Sequence, residues 1–170
     1  MIITPEYADA FFTAVASRDP ALIAPFVADD AEWLIVGPLE LFPFCGQHLG
    51  KEAVLAAYQR VRERRWNLTS VREFLIADGQ SASSLTRFTG TLPLIGRHIN
   101  VRAAQFARFH DRKVVEFCSI IDTLGVAEQV LGRALLPVAA APAPALVGPS
   151  ILPASRVRGL QENLNDARVK

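Results

Sequence analysis

The chain has 170 residues, of which 51% are apolar and 21% are charged, a composition typical of a single domain with one core. Its 18 Lys and Arg residues nearly balance 17 Asp and Glu residues, so the strongly basic surface of a general nucleic-acid binder is not expected. Charge or proline interrupts every apolar run well short of the roughly 18 residues of a membrane span, and no signal peptide is recognisable, which predicts a cytoplasmic protein that binds neither membranes nor nucleic acid.

The sequence offers no recognisable metal or cofactor site. Cys45 and Cys118 have no His or carboxylate partners at metal-ligand spacing, and two cysteines without a secretory signal do not predict a disulfide framework. His48, His98 and His110 follow no zinc motif, and no glycine-rich phosphate loop is present. We therefore expect neither a metal nor an organic cofactor.

Apolar spacing and capping residues predict three helices in the first third of the chain, at about residues 4–18, 19–30 and 50–63. An internal proline limits the second of these helices to about two turns. Residues 32–36 predict a short strand between the second and third helices. The loop that follows, residues 39–44, is more apolar than a solvated loop, so we expect it to cover part of the core.

After Trp66 the apolar pattern changes to a period of two, which is typical of strands. Four strands joined by short connections predict an antiparallel meander over residues 68–76, 81–91, 99–109 and 113–121. A last helix is predicted from about residue 123 to residue 136. The composition then changes, so we expect one domain over residues 1–136 and a Pro/Ala-rich C-terminal extension over residues 137–170.

These elements predict an α+β fold in which a curved antiparallel sheet wraps around three N-terminal helices. The concave side of such a sheet can enclose a cavity. Apolar side chains on the convex side must be covered by another surface. On that outer side Ala104 and Phe106 alternate with Arg102 and Arg108, which leaves apolar area between charges. We therefore expect a homodimer through the outer face of the sheet.

Four short motifs follow one another in a fixed order between residues 5 and 133. They are an acidic pair leading into a strand, a Gly-Lys-Glu-Ala helix entry, a hairpin and a strand-to-helix run, at residues 29–33, 50–53, 88–97 and 113–132. Their order and spacing resemble the nuclear transport factor 2-like superfamily and, within it, the SnoaL-like polyketide cyclase branch. The resemblance implies a cone-shaped, cystatin-like domain, commonly a homodimer, with a deep pocket for a small apolar molecule and no cofactor.

Enzymes of that superfamily isomerise ketosteroids, close polyketide rings, hydrolyse epoxides or dehydrate small molecules, whereas other members only bind. By resemblance, Gln105 and Ser119 occupy positions where polyketide cyclases place a His and an Asp. Neither side chain titrates near neutral pH, so two neutral hydrogen-bonding groups replace the acid–base pair. The isomerase base position falls within Val36-Gly37-Pro38, without a carboxylate. Arg87 could be the arginine of an epoxide hydrolase, but Ser119 again replaces an acid.

The candidate catalytic residues are therefore Gln105, Ser119, Asp122 and Arg87. Asp122 stands at a helix start, where a carboxylate commonly caps free amides, and Arg87 could instead face outward toward a dimer partner. Several aromatic and apolar residues are candidate ligand contacts, although each could equally be core: Tyr7, Phe11, Val15, Trp33, Phe42, Tyr58, Phe74 and Phe117.

Three functions remain open from the sequence. The first is a cofactor-free isomerase, cyclase or lyase that acts on a planar apolar substrate. The second is a non-catalytic, dimeric module that binds a small ligand, and the third is a dimeric scaffold whose C-terminal extension recruits a partner. A pocket lined by no Asp, Glu or His would argue against acid–base catalysis.

Overall fold

In the computed structural model the described residues are 2–39, 42–64, 66–93 and 96–135, and every structural statement below concerns these residues. They form ten elements, and the expected α+β class is confirmed. In chain order these are α1 (Pro5–Ser17), α2 (Pro20–Ile23), β1 (Val27–Val36), β2 (Gly46–Leu49), α3 (Lys51–Glu63), β3 (Asn67–Asp78), β4 (Ser81–Leu92), β5 (Arg97–His110), β6 (Lys113–Ile121) and α4 (Thr123–Leu131). The extension predicted over residues 137–170 lies outside the described residues.

All six strands belong to one curved sheet, in the order β2-β1-β6-β5-β4-β3. Strands β3 to β6 pair antiparallel with their chain neighbours, as the period-two pattern predicts. Strand β1 runs parallel to β6, with Trp33 beside Phe117 and Ile35 beside Ser119. This pairing joins the first third of the chain to its last strand, and local sequence patterns contain no signal for it.

The N-terminal helices begin and end where capping chemistry allows. At the start of α1 the Thr4 hydroxyl accepts a hydrogen bond from the backbone amide of Tyr7 at 3.3 Å. At the start of α2 the Asp19 carboxylate accepts one from the backbone amide of Ala21 at 2.9 Å. Helix α1 ends at Arg18, whose backbone is left-handed with φ of 60° and whose amide donates to the carbonyl of Val15. These caps place Arg18 at the turn between α1 and α2.

Two boundaries between residues 20 and 50 differ from the prediction. Helix α2 ends at Ile23, because Pro25 has no amide to continue it, and the chain then enters β1 at Val27. The acidic pair Asp29-Asp30 therefore lies inside a strand and does not close a helix. The short strand β2 was not predicted; it pairs antiparallel with β1 at the sheet edge, where four largely polar residues give no strand pattern.

The hairpin of β3 and β4 requires a glycine at one position. Gly90 lies opposite Leu68 and has φ of 155°. A Cβ atom built there would lie 1.9 Å from the carbonyl oxygen of Asn67, a distance no real contact reaches. Strand pairing at this point therefore depends on the absence of a side chain.

The buried side chains lie on the concave, inner face of the sheet and on the helices that cover it. Phe11 of α1 is fully buried and contacts the ring edges of Trp33, Phe109 and Phe117 at centroid distances of 5.4 to 6.1 Å. Trp33 stacks on Phe117 with centroids 3.9 Å apart. These rings form a filled core at one end of the inner face. No helix among the described residues is long and apolar enough to cross a membrane.

Candidate functional site

A cavity of about 90 Å³ lies between the inner face of the sheet, the C-terminal end of α1, helix α3 and the loop before β2. Its aromatic rim comes from Phe42 and Phe44 of that loop and from Trp66, whose ring centroids lie 5.2 to 5.6 Å apart. The full lining is Val15, Arg18, Ile35, Phe42, Phe44, Tyr58, Val61, Trp66, Leu68, Phe88, Ile99, Val101, Ala103, Gln105, Ser119 and Ile121.

The polar floor of the cavity comes from two adjacent strands. Gln105 of β5 stands directly opposite Ser119 of β6, and the two residues are only 3% and 5% exposed. The hydroxyls of Ser84 and Thr86 on β4 donate to Gln105 Oε1 at 3.1 and 3.4 Å. Because Oε1 already accepts from these two donors, the Nε2 amide group is the end of the Gln105 side chain that remains for a ligand, to which it can donate a hydrogen bond.

Tyr58 reaches the cavity from α3 and is nearly fully buried. Burial raises the pKa of the Tyr58 phenol far above its ordinary value, because the phenolate is poorly solvated there. The group is therefore a neutral hydroxyl at any physiological pH. It can donate a hydrogen bond but cannot act as a base.

Arg18 also lines the cavity, and the sequence reasoning did not single it out. Its Nη2 donates to the carbonyl of Leu68 at 2.8 Å, while Nη1 is buried and has no acceptor among the described residues. Burial lowers the pKa of the Arg18 guanidinium, which nevertheless remains charged, as arginines in proteins do. One signal could have found it: Arg18 follows Val15 by three residues, the spacing at which helix residues share a face.

The structure brings five of the predicted residues to this cavity and places three others elsewhere in the core. The five are Val15, Phe42, Tyr58, Gln105 and Ser119. Phe11, Trp33 and Phe117 are buried in the aromatic cluster described above and do not line the cavity. Their spacing predicts that they face inward. Inward-facing residues of this fold either pack in the core or line the cavity, and the spacing does not distinguish the two.

Four further candidates lie away from the cavity, and two of them belong to helix and turn structure. The Tyr7 hydroxyl donates to the carbonyl of Arg112, whose guanidinium lies 4.4 Å from the centre of the Tyr7 ring. The Asp122 carboxylate accepts the amide of Gly125 at 2.9 Å and caps α4. Both contacts are structural, so neither side chain is available to a ligand in the cavity.

The other two candidates lie on the outer face of the sheet. Arg87 points outward because its neighbour Thr86 points inward, and it forms an ion pair with Glu73, which also binds Arg102. Phe74 is 53% exposed, because a bulge between β3 and β4 adds one residue just before it and shifts the alternation. An inward anchoring role for Arg87 and a ligand-binding role for Phe74 are incompatible with these positions.

The lining contains no Asp, Glu or His among the described residues. His48 stands outside it, with Nε2 bonded to the carbonyl of Phe44 at 2.9 Å. Cys45 is buried, which raises the pKa of its thiol to about 11 and keeps it protonated. Within the described ranges, no three His, Cys, Asp or Glu side chains are grouped so that they could hold a metal ion.

Comparison with known proteins places this geometry in a family context. The family model described as a SnoaL-like domain matches residues 8–117. A proposed isomerase from Rhodopseudomonas palustris is 29% identical with a TM-score of 0.65, and the match covers 78% of this chain and 100% of that one. No curated protein matches significantly.

Two further solved structures have the same fold. An NTF2-like protein from Burkholderia thailandensis E264 is 25% identical with a TM-score of 0.63, over 75% of this chain and 98% of that one. An LEH-like epoxide hydrolase from M. tuberculosis is 13% identical with a TM-score of 0.59, over 75% of this chain and 89% of that one. At that identity the epoxide hydrolase shows a shared fold and no shared activity.

Proposed function

The chain belongs to the SnoaL-like domain family, and we propose that it binds a small, largely apolar molecule in its cavity without transforming it. The observation that carries this proposal is the set of polar groups in the lining. They are a guanidinium, a phenol, an indole, an amide and a hydroxyl, with no carboxylate or imidazole among the described residues. Such groups orient a ligand but do not exchange protons with it near neutral pH.

The shape and polarity of the cavity favour a ligand with an apolar body and an oxygen atom. The aromatic rim of Phe42, Phe44 and Trp66 offers a surface for a flat apolar group. At the floor, the Nε2 amide group of Gln105 can donate a hydrogen bond to an oxygen atom of a ligand. A ligand carbonyl or hydroxyl oxygen at that position would accept this hydrogen bond.

Proton abstraction next to a carbonyl needs a base whose pKa lies near the working pH. Gln105 and Ser119 have no such pKa, and burial moves the Tyr58 pKa further from neutrality. The cavity can polarise a ligand oxygen, but it offers no group that would accept the proton. This is the chemical reason for preferring binding over catalysis.

A cofactor-free isomerase, cyclase or lyase is the second candidate function. The similarity to the proposed isomerase from Rhodopseudomonas palustris favours it, because that structure is 29% identical and is covered over its whole length. In this alternative Gln105 and Tyr58 would stabilise an enolate by hydrogen bonds, and a solvent species would remove the proton. Turnover of the bound compound distinguishes this alternative from the first proposal.

Filling the cavity tests the binding proposal. Ala103 of β5 is buried and lines the cavity, so Ala103→Leu places three additional carbon atoms in the space that a ligand would occupy. We expect calorimetric titration with neutral aromatic carbonyl compounds, acetophenone and benzamide, to show binding to the wild type. The same titration of Ala103→Leu should show at least about tenfold weaker binding, because overlap with the ligand costs more than 1.4 kcal/mol.

Ala56→Leu provides the matched control, since Ala56 is an exposed residue of α3 outside the cavity. Its affinity should equal that of the wild type, and the bound compound should be recovered unchanged. Equal affinity of Ala103→Leu and the wild type would contradict a ligand site in this cavity. Conversion of the compound by the wild type would support the second candidate.

We also propose that the domain forms a homodimer through the outer face of the sheet. Large apolar side chains are exposed there beside ion pairs, most notably Phe106, which is 49% exposed between Arg102 and Arg108. Leu34 and Ile120 extend the apolar area onto β1 and β6. In an isologous dimer, two such faces would bury these apolar side chains against each other. The charged residues of one protomer would then lie opposite those of its partner.

A further inference from the structure

We propose that the molecule bound in the cavity is a carboxylate and that Arg18 is the residue that binds its charged group. This inference rests on the proposed binding function and names the ligand's chemical class. Arg18 stands at the end of α1 among apolar neighbours in the cavity lining, including Val15, Val61 and Leu68. A lone cation in such surroundings favours an anion more strongly than the same cation would in water.

One terminal nitrogen of the Arg18 guanidinium has a hydrogen-bond acceptor in the protein, and the other has none among the described residues. Nη2 donates to the carbonyl of Leu68 at 2.8 Å, and this bond fixes the side chain against β3. Nη1 is buried without an acceptor among the described residues. Buried polar groups of folded proteins are nearly always paired, so this nitrogen requires an acceptor from outside the described residues, and a ligand carboxylate in the cavity can supply one.

No protein carboxylate among the described residues serves as that acceptor. The nearest acidic residue in the chain, Asp19, is paired with Arg62 at 2.9 Å. Arg18 forms no ion pair in the described part of the chain, whereas the outer-face arginines at positions 87, 102 and 108 all do. Its charge is therefore available to a carboxylate from outside the protein.

The position of Arg18 also fits a route of entry. Arg18, Val61 and Trp66 line both the cavity and a surface groove formed with Ser17, Asp19 and Arg62. A carboxylate bound to Arg18 would lie where groove and cavity meet, close to water. The apolar body of the ligand would then extend inward past Trp66, and Gln105 at the floor would take a second oxygen if the ligand has one.

Benzoate and benzamide provide the test, because they have nearly the same shape and differ in charge. We expect calorimetric titration of the wild type to show at least about tenfold tighter binding of benzoate. Arg18→Met should lose this preference and bind the two compounds with nearly equal affinity. Arg60→Met, which removes an exposed arginine of α3 outside both the cavity and the groove, should keep it.

Arg18→Lys retains the positive charge and should keep part of the preference for benzoate, so it replaces Arg18→Met if that variant does not fold. Equal binding of benzoate and benzamide by the wild type would overturn the inference, and so would an unchanged preference in Arg18→Met. Either result leaves the proposed binding function standing. Failure of the wild type to bind these two compounds and acetophenone would instead overturn the proposed function.

Discussion

Replacing Phe11 with alanine is expected to lower the free energy of unfolding by about 3–5 kcal/mol, the range found when a buried aromatic side chain is removed from a core. Phe11 is fully buried, and its ring contacts those of Phe12, Trp33, Phe109 and Phe117 at centroid distances of 4.9 to 6.1 Å. The surrounding side chains are expected to close only part of the space left behind. Urea denaturation followed by far-ultraviolet circular dichroism measures the change.

Phe74→Ala is the matched control, because it makes the same chemical change at a side chain that is 53% exposed. We expect it to cost less than about 1 kcal/mol, as surface substitutions usually do. Both phenylalanines are candidate ligand contacts by sequence, and the structure assigns one to the core and the other to the outer face. A loss in Phe11→Ala no larger than in Phe74→Ala would contradict this assignment.

Phe106→Lys is expected to convert the proposed homodimer into a monomer. The change removes the largest exposed apolar side chain of β5 and places a cation between Arg102 and Arg108. Near a two-fold axis the added charge would meet its own copy, so we expect at least a hundredfold weaker association, about 2.7 kcal/mol. Sedimentation equilibrium of the wild type and the variant measures the effect.

Leu22→Lys is the control for that experiment. Leu22 is an exposed apolar residue of α2, away from the sheet, and its replacement should leave the dimer unchanged. A monomeric wild type at tens of micromolar would refute the dimer itself. Loss of the dimer in both variants would show that the association does not depend on the outer face of the sheet.

The meander was predictable because each of its strands carries its own alternating pattern. Strand β6 begins and ends at the predicted residues, Lys113 and Ile121, and the alternation correctly predicts that Gln105 and Ser119 face inward. Helix α3 has clear apolar spacing and a glycine entry. In these segments local pattern and tertiary structure agree, which is why sequence reasoning succeeds.

Other features depend on contacts between distant segments. The parallel pairing of β1 with β6 determines that Asp29 and Asp30 lie in a strand, and a bulge next to Phe74 reverses its expected direction. The inward residues Phe11, Trp33 and Phe117 were distinguishable from the cavity lining only after the helices were placed. Periodicity identifies the buried side of an element but does not say whether that side faces a packed core or a hollow one.

Arg18 illustrates the same limit for the site. In the sequence it is a charged residue at the end of a helix, a position where arginine usually interacts with solvent and the helix dipole. Its neighbours in space, Leu68 and Trp66, are about fifty residues away in the chain. Arg18 is a candidate binding residue because its Nη1 atom is buried and unpaired among the described residues. That environment forms only when these distant segments pack together.

The most direct test of the account is a nitrogen-15 NMR titration of the wild type with benzamide, observing the side-chain amide groups. If the cavity binds the compound at its polar floor, the Nε2 resonances of Gln105 should shift and saturate. Those of Gln59, whose amide donates to Glu63 on the exposed side of α3, should not move. Saturable binding that leaves the Gln105 resonances unchanged would contradict the central claim that this cavity is the ligand site.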